Sequence, residues 1–155
     1  MLERGRAAAV LVRDPMSVNI LFTNQLRLGA LNSFDPYIIE LVSVMIDGEE
    51  NPESTINRET EEETGVTGLL NVELISKYYP SPGACTEEVA LYYAEADLSN
   101  LASFGGCESE NEVIEVLSIN TEEAFRLLRQ GFLNTSINQI ALYWLLAERL
   151  EGRKK

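Results

Sequence analysis

The sequence predicts an α/β or α+β fold, and three observations lead to this prediction. Short apolar segments typical of strands recur along most of the 155-residue chain. Segments with helix start and stop signals interrupt them irregularly, which argues against a regular βαβ array. No internal repeat, linker or low-complexity tract divides the chain, so we expect one domain over residues 1–155 with a sizeable core.

The N-terminal part of the chain is predicted to form strands. The first three predicted strands cover residues 7–12, 18–22 and 37–42. A turn at Asp14-Pro15 separates the first two strands, which we expect to pair with each other. Residues 25–28 then continue into a loop around residues 32–36.

The segment after the third strand carries the signals that bound a helix. Asn51 can cap the first turn, Pro52 suits the first helical position, and Gly65 suits the residue just past the end. The last turn holds the carboxylates of Glu59, Glu61, Glu62 and Glu63. The helix dipole favours cations there, and each like-charge pair on one face costs about 0.2–0.5 kcal/mol. A bound divalent cation would compensate for this cost.

Two further strands and a long loop follow. Residues 69–79 show the rough alternation of a long strand, residues 80–83 are a strong turn signal, and residues 89–96 form another strand. Residues 99–112 are predicted to be a loop with a second acidic cluster. A strand resumes over residues 113–117.

Two helices are predicted to close the chain. Thr121 is expected to cap the first helix and Gly131 to end it. The second starts at Thr135 or Ser136. Its predicted apolar face consists of Ile137, Ile140, Ala141, Trp144, Leu145 and Leu150. Residues 149–155 are expected to fray into solvent.

Composition excludes several kinds of chemistry. A formal net charge of -13 argues against nucleic acid as the main partner. The chain has no histidine, so acid–base or metal chemistry must rest mainly on carboxylates, which suit Mg²⁺, Mn²⁺ or Ca²⁺. No apolar run approaches the ~20 residues that cross a bilayer, and no membrane partner is expected. With two cysteines and no signal-peptide pattern at its start, the protein is expected to be cytoplasmic.

The charged residues around the predicted acidic helix have a specific spacing. The pattern consists of Glu50, Arg58-Glu59, Glu62-Glu63 and Gly65-Val66. It resembles the Nudix box, and every charged position matches. Two positions depart, because Val44 stands for the first glycine of the motif and Thr60 for an apolar residue. Gly48 could relocate the turn, and the Thr60 hydroxyl could bond to a carbonyl one turn earlier.

The resemblance extends to the ADP-ribose pyrophosphatase branch of the Nudix hydrolases. The matching segments are residues 4–5, 25–27, 39–40, 81–83, 110–112 and 131–145. The resemblance implies a Nudix fold, with a mixed β-sheet sandwiched between α-helices. Enzymes of this branch usually carry an extra N-terminal segment, and we expect this chain to begin where their catalytic domain begins. They commonly dimerise, so a homodimer is expected.

The resemblance also implies an activity and a set of site residues. The reaction would be Mg²⁺- or Mn²⁺-dependent hydrolysis of a nucleotide sugar such as ADP-ribose to AMP and a sugar phosphate. The implied metal ligands are Glu59, Glu63, Glu112 and the backbone carbonyl of Ser43. The implied catalytic residues are Glu110 as general base, Glu62 beside the metal ligands, and Arg58, paired with Glu50 or Glu62. The implied substrate-binding residues are Arg27 for the phosphates, Glu87 near the terminal ribose, and Arg4.

Two alternatives remain open at the level of sequence. Within the enzyme class, the substrate could be a GDP-sugar or another dinucleotide. Outside it, the chain could be a catalytically weak Nudix domain that binds a nucleotide. Val44 and the expected lack of an N-terminal segment favour the binding module. The complete set of Glu59, Glu62 and Glu63 favours the enzyme.

Overall fold

A computed structural model describes residues 1–33, 35–106 and 113–153. Within these residues, eight strands form one sheet, flanked by three α-helices and a short 3-10 helix. The strands are β1 (Arg6–Arg13), β2 (Asn19–Leu26), β3 (Tyr37–Glu40), β4 (Val42–Met45), β5 (Leu70–Tyr78), β6 (Glu88–Glu95), β7 (Phe104–Gly105) and β8 (Ile114–Asn120). The helices are α1 (Pro52–Thr64), α2 (Thr121–Arg129) and α3 (Ser136–Leu150), and the 3-10 helix spans Leu28–Ala30.

The sheet is mixed and contains a strand switch. Its order is β5-β6-β1-β2-β8-β7, with β1 parallel to β6 and the other pairs antiparallel. β1 and β2 are in register at Arg13 and Ile20. Farther along, β3 pairs with β2 and β4 pairs with β1. The chain therefore lies between the two separating strands and switches from one to the other at Leu41.

Helices cover both faces of the sheet. Alternate residues of β1 point to opposite faces, as the two-residue repeat of a strand requires. Ala7, Ala9 and Leu11 belong to one buried cluster, which includes residues of α2 and α3. Ala8, Val10 and Val12 belong to the other, which includes Ile56 of α1. This arrangement confirms the predicted mixed sheet between helices. None of the described helices is long and apolar enough to span a membrane.

The structure confirms the predicted boundaries of the acidic helix and corrects those of its neighbours. Asn51 caps α1, and Gly65 follows it with a left-handed φ of 74°. The predicted strand over residues 37–42 is two strands, because the chain changes partner at Leu41. The predicted loop over residues 99–112 includes the short strand β7, which pairs with β8.

The prediction for the last two helices also needs correction. Asn120, rather than Thr121, caps α2, and the Thr121 hydroxyl donates to the Val18 carbonyl instead. Leu150 is 82% exposed and does not belong to the apolar face of α3, whereas Leu142 is fully buried.

The C-terminal segment forms ion pairs that the predicted fraying did not include. α3 continues to Leu150, and Arg149 within it forms an ion pair of 2.6 Å with Glu122. Beyond the helix, Arg153 forms an ion pair of 2.8 Å with Glu148. Residues 149–153 are therefore tied to the two helices. Lys154 and Lys155 lie outside the described residues.

Both departures from the Nudix box are accommodated locally. Val44 lies in β4 opposite Ala8, so it needs no positive φ, and Gly48 adopts a φ of 53° after the strand. Thr60 is fully buried, and its hydroxyl donates to the Ile56 carbonyl at 2.7 Å. The hydroxyl bond predicted from the sequence is thus present.

Replacing Thr60 with valine should leave stability unchanged or raise it by up to ~1 kcal/mol. The Ile56 carbonyl keeps its backbone helix bond, so only a redundant donor is lost. Thr64→Val is the matched comparison, because the Thr64 hydroxyl also accepts from the Val66 N–H and its loss should cost about 1 kcal/mol. Denaturant unfolding measures the free energy of unfolding of both variants. Equal destabilisation would show that the Thr60 hydroxyl is not a redundant donor.

Candidate active site

The last turn of α1 concentrates negative charge, and it contains no basic residue. Asn51 satisfies the other end of the helix by accepting from Glu53 N at 2.9 Å. At the acidic end, the Glu59 side chain is 19% exposed and the Glu62 side chain 50%. Glu63 is buried, with 8% of its surface exposed. The turn therefore places one buried and one half-buried carboxylate at the negative end of the helix dipole, where a cation is favoured.

Arg58 is the basic partner of this cluster. Its guanidinium lies 2.8 Å from Glu62 and 3.1 Å from Glu59, and a longer contact of 3.9 Å reaches Glu50. Partial burial lowers the pKa of Arg58, but the three carboxylates outweigh it and the pKa is raised. The Thr55 hydroxyl holds Glu50 at 3.1 Å. Arg58 therefore orients Glu59 and Glu62 in the helix and contacts Glu50, which precedes the helix.

A close backbone contact joins the acidic turn to β7. A Cβ added to Gly105 would lie 1.8 Å from the Glu63 carbonyl oxygen. Glycine is therefore required there for β7 to approach the end of α1. The sequence showed a Gly-Gly pair in this segment, but nothing in it indicated a contact with the helix.

The fold brings the predicted substrate residues to one end of the sheet. Arg4 precedes β1 and Glu87 precedes β6, and these strands are parallel, so their starts are neighbours. Arg27 follows β2, which runs antiparallel to β1, so its end lies at the same edge. A cleft of about 450 Å³ opens there. The cleft lining includes Arg4, Arg27, Glu40, Ser43, Val44, Met45 and Glu87.

Each arginine of the cleft is held by a carboxylate. Arg4 Nε lies 3.0 Å from Glu87, and Arg27 Nε lies 2.5 Å from Glu40, whose side chain is 12% exposed. Glu40 is a residue to which the sequence analysis gave no role. Its partner, Arg27, lies 13 residues earlier in the chain, and the pairing of β2 with β3 brings the two side chains together.

Ser43 connects the cleft to the acidic helix. It lies in β4 opposite Ala9 of β1, is half-buried and lines the cleft. β4 leads through Gly48 into α1, so the predicted carbonyl ligand and the predicted carboxylate ligands belong to consecutive elements.

A larger cavity, of about 630 Å³, is lined in part by β3. Its described lining includes Tyr37, Phe132 and Asn134 but no lysine or arginine. A pyrophosphate has no cationic partner there, so the smaller cleft is the better candidate for substrate.

Part of the predicted site lies outside the described residues. This applies to Glu110 and Glu112. Within residues 1–33, 35–106 and 113–153, no group of three Cys, Asp or Glu side chains is already gathered as a metal site.

Comparison with known proteins assigns the class of this chain. A family profile described as NUDIX domain matches residues 3–136, and the chain belongs to this family. It is a hydrolase of the Nudix type, which acts on a pyrophosphate bond.

Individual relatives span most of the chain. An ADP-ribose pyrophosphatase of Haemophilus influenzae is 31% identical over 94% of this chain and 68% of its own length. A GDP-mannose pyrophosphatase of Cronobacter sakazakii is 33% identical over 92% of this chain and 74% of its own. A crystal structure of an ADP compounds hydrolase matches with a TM-score of 0.71 and 18% identity, over 95% of this chain and 73% of the other. That structural match supports the fold.

Gly105→Ala should destabilise the protein by about 1–3 kcal/mol, because the added methyl group meets a backbone carbonyl that cannot rotate away. Gly83→Ala is the control. No atom lies within 4 Å of a Cβ built there, and its φ is outside the left-handed region, so stability should hold or rise slightly. Thermal or denaturant unfolding compares the pair. Similar stability of the two variants would show that β7 does not approach α1 as described.

Proposed function

We propose that the protein hydrolyses the diphosphate of a nucleotide sugar such as ADP-ribose, giving AMP and a sugar phosphate. One observation carries this proposal: an arginine-containing cleft and an acidic helix turn are joined through β4, with Ser43 on the cleft side. The cleft supplies donors for phosphates, and the helix supplies oxygen ligands for cations. The relatives named as pyrophosphatases of ADP-ribose and GDP-mannose support this substrate class.

The residues present fit a hard divalent cation, and we propose Mg²⁺, with Mn²⁺ as a substitute. The donor set consists of carboxylates and a carbonyl, which hard cations prefer. Glu59 and Glu63 lie one turn apart on the same helix face, at the negative end of its dipole. When bound, such a cation neutralises pyrophosphate charge and lowers the pKa of water.

The protein's own residues prepare the site for this chemistry. Arg58 holds Glu59 and Glu62 in place, which limits their movement when charge nearby changes. Burial of Glu63 removes water that would compete with a ligand. Glu62, more exposed than Glu59 and Glu63, supports the cluster from the solvent side.

Glu110 is proposed as the general base and Glu112 as a further metal ligand. The described residues beside their segment support this assignment. Gly105 and Ile114 are paired across β7 and β8, and Gly105 lies against the Glu63 carbonyl. Ile114, two residues after Glu112 in the sequence, is therefore held by β7 close to the acidic turn.

The cleft provides contacts for the rest of the substrate. Arg27 is proposed to bind the phosphates, and Arg4 and Glu87 to border the sugar end. The Arg27–Glu40 bond uses Nε, and a guanidinium has five N–H donors, so others remain for a phosphate. The opposing charges of Arg4 and Glu87 give that end of the cleft both donors and acceptors for hydroxyl groups.

A GDP-sugar is the second candidate substrate, favoured by the 33% identity to a GDP-mannose pyrophosphatase. The binding-module alternative loses one of its supports. Val44 fits a regular strand in place of the motif's glycine, so it gives no reason to expect impaired catalysis. We further propose that the protein acts as a homodimer in the cytoplasm.

Glu63→Gln should lower kcat at least about 100-fold with Mg²⁺ and ADP-ribose, because a proposed cation ligand loses its charge. Glu61→Gln is the matched control, since Glu61 is exposed and lies in the same turn. It removes equal charge from α1 and should retain activity. Assays over a panel of ADP- and GDP-sugars measure both variants, with a phosphatase added to release inorganic phosphate from the two monoester products. Equal losses in the two variants would refute a specific role for Glu63.

Mg²⁺ should raise the melting temperature of the wild-type protein, because it binds the folded state. At 100 times its dissociation constant, the stabilisation would be about 2.7 kcal/mol. Glu63→Gln should abolish most of this increase and Glu61→Gln should preserve it. Scanning calorimetry with Mg²⁺, Mn²⁺ and EDTA tests this without turnover. Identical shifts in all three proteins would place the bound ion elsewhere.

A further inference from the structure

Asn138 is a fully buried polar residue in the first turn of α3. Its backbone N–H donates to the hydroxyl of the capping residue Thr135 at 3.2 Å. Its side chain reaches the sheet. Oδ1 accepts from Leu41 N at 3.1 Å, and Nδ2 donates to the Ile39 carbonyl at 2.7 Å. One amide therefore holds the chain on both sides of Glu40, at the switch between β3 and β4.

The surroundings of Asn138 are apolar. Its α3 neighbours Ile137, Ala141 and Leu142 belong to or pack against the core cluster between the helices and the sheet. Burying an amide there is unfavourable unless both of its polar atoms find partners, and here both do. The two backbone groups at the switch gain partners that a leucine at this position could not provide.

Glu40 is fixed by these contacts. Beyond the two bonds to its neighbours, its own carbonyl accepts from the Thr23 hydroxyl at 3.4 Å. Its side chain, 12% exposed, leaves this fixed backbone to meet Arg27 Nε at 2.5 Å. Arg27 is 41% exposed and lines the cleft. A short chain of direct contacts thus runs from the interior of α3 to the cleft surface.

We propose that Asn138 is a positioning residue for substrate binding, which sets the direction of the Glu40–Arg27 ion pair toward the substrate's phosphates. The inference rests on the proposed function, because Arg27 is the proposed phosphate contact. It adds a determinant of binding in the core of the protein, away from the acidic turn. Asn138 is not part of the cleft lining, although its neighbour Ile137 is, and its side chain bonds to Leu41 and Ile39 on either side of Glu40.

The variants Asn138→Leu and Asn138→Asp separate positioning from stability. Leucine removes both bonds, whereas aspartate keeps the acceptor for Leu41 N and removes the donor to Ile39. Thr121→Val is the control. Thr121 is buried and its hydroxyl bonds the Val18 carbonyl, which lies before β2, whereas Arg27 lies after the end of β2. All three variants should lose stability, as removal of a buried hydrogen bond requires.

Steady-state kinetics with ADP-ribose and saturating Mg²⁺ give the first readout. Asn138→Leu should raise KM about fivefold to tenfold with kcat nearly unchanged, and Asn138→Asp should raise it less. Thr121→Val should leave KM unchanged. In an Arg27→Ala background, Asn138→Leu should raise KM no further, because both changes act on the same contact. A full additional increase in that background would overturn the proposal.

The Arg27 Nε–H signal in ¹H–¹⁵N NMR spectra gives a readout independent of turnover. It is assigned by its loss in Arg27→Ala. It should be slowly exchanging in the wild type and in Thr121→Val, and broadened or fast-exchanging in Asn138→Leu and Asn138→Asp. An unchanged signal in both Asn138 variants would overturn the inference. If the wild type cleaves no nucleotide sugar, the proposed function fails, and the NMR result still decides whether Asn138 positions Arg27.

Discussion

The separation of β1 from β2 is the constraint on which the site depends. The two strands meet at Arg13 and Ile20 and then part, and the gap is filled by β3 and β4 from a single crossing chain. This crossing gives both strands their hydrogen-bond partners, which buried strands require. It also brings the end of β2, the starts of β1 and β6, and the approach to α1 to one edge of the sheet. The cleft and the acidic helix are neighbours for this reason.

At this edge of the sheet, the cleft arginines are paired with carboxylates, beside the acidic turn of α1. With a formal net charge of -13, the chain repels an anionic substrate over most of its surface. The cationic groups of the cleft are each fixed by a carboxylate, so they provide directed donors more than net positive charge. In the proposed mechanism, net positive charge comes from bound cations. The carboxylates in the last turn of α1 are unfavourable there without a cation, and they are suited to bind one.

The sequence allowed accurate prediction where the signals are local. Asn51, Pro52 and Gly65 act within one helix, and the bounds of α1 follow from them. The rough alternation over residues 69–79 is local too, and β5 forms there. Errors arose where adjacent residues compete for one role. Asn120 and Thr121 can both cap α2, and the choice was made by Val18, which takes the Thr121 hydroxyl.

The contacts that assemble the site were not predictable in the same way. Glu40 with Arg27, Gly105 with Glu63, and Asn138 with the strand switch all depend on pairings between elements distant in sequence. A single sequence gives no register for such pairings. The box spacing indicated which residues of α1 to propose as functional, because one helix sets their spacing. Arg27 could be named from its context, but not the carboxylate that directs it.

The difference between the acidic turn, formed within one helix, and the cleft, formed by several elements, also affects where substrate preference can arise. In the proposed site, the acidic turn acts on the diphosphate common to all these substrates, so it gives no basis for separating ADP-ribose from a GDP-sugar. Discrimination must come from the cleft, whose arginines are oriented through Glu40 and Glu87. A residue such as Asn138, buried behind this layer, can change that orientation without touching substrate. On the proposed role of Asn138, substrate specificity would depend on the packing of α3 against the strand switch as well as on the side chains that line the cleft.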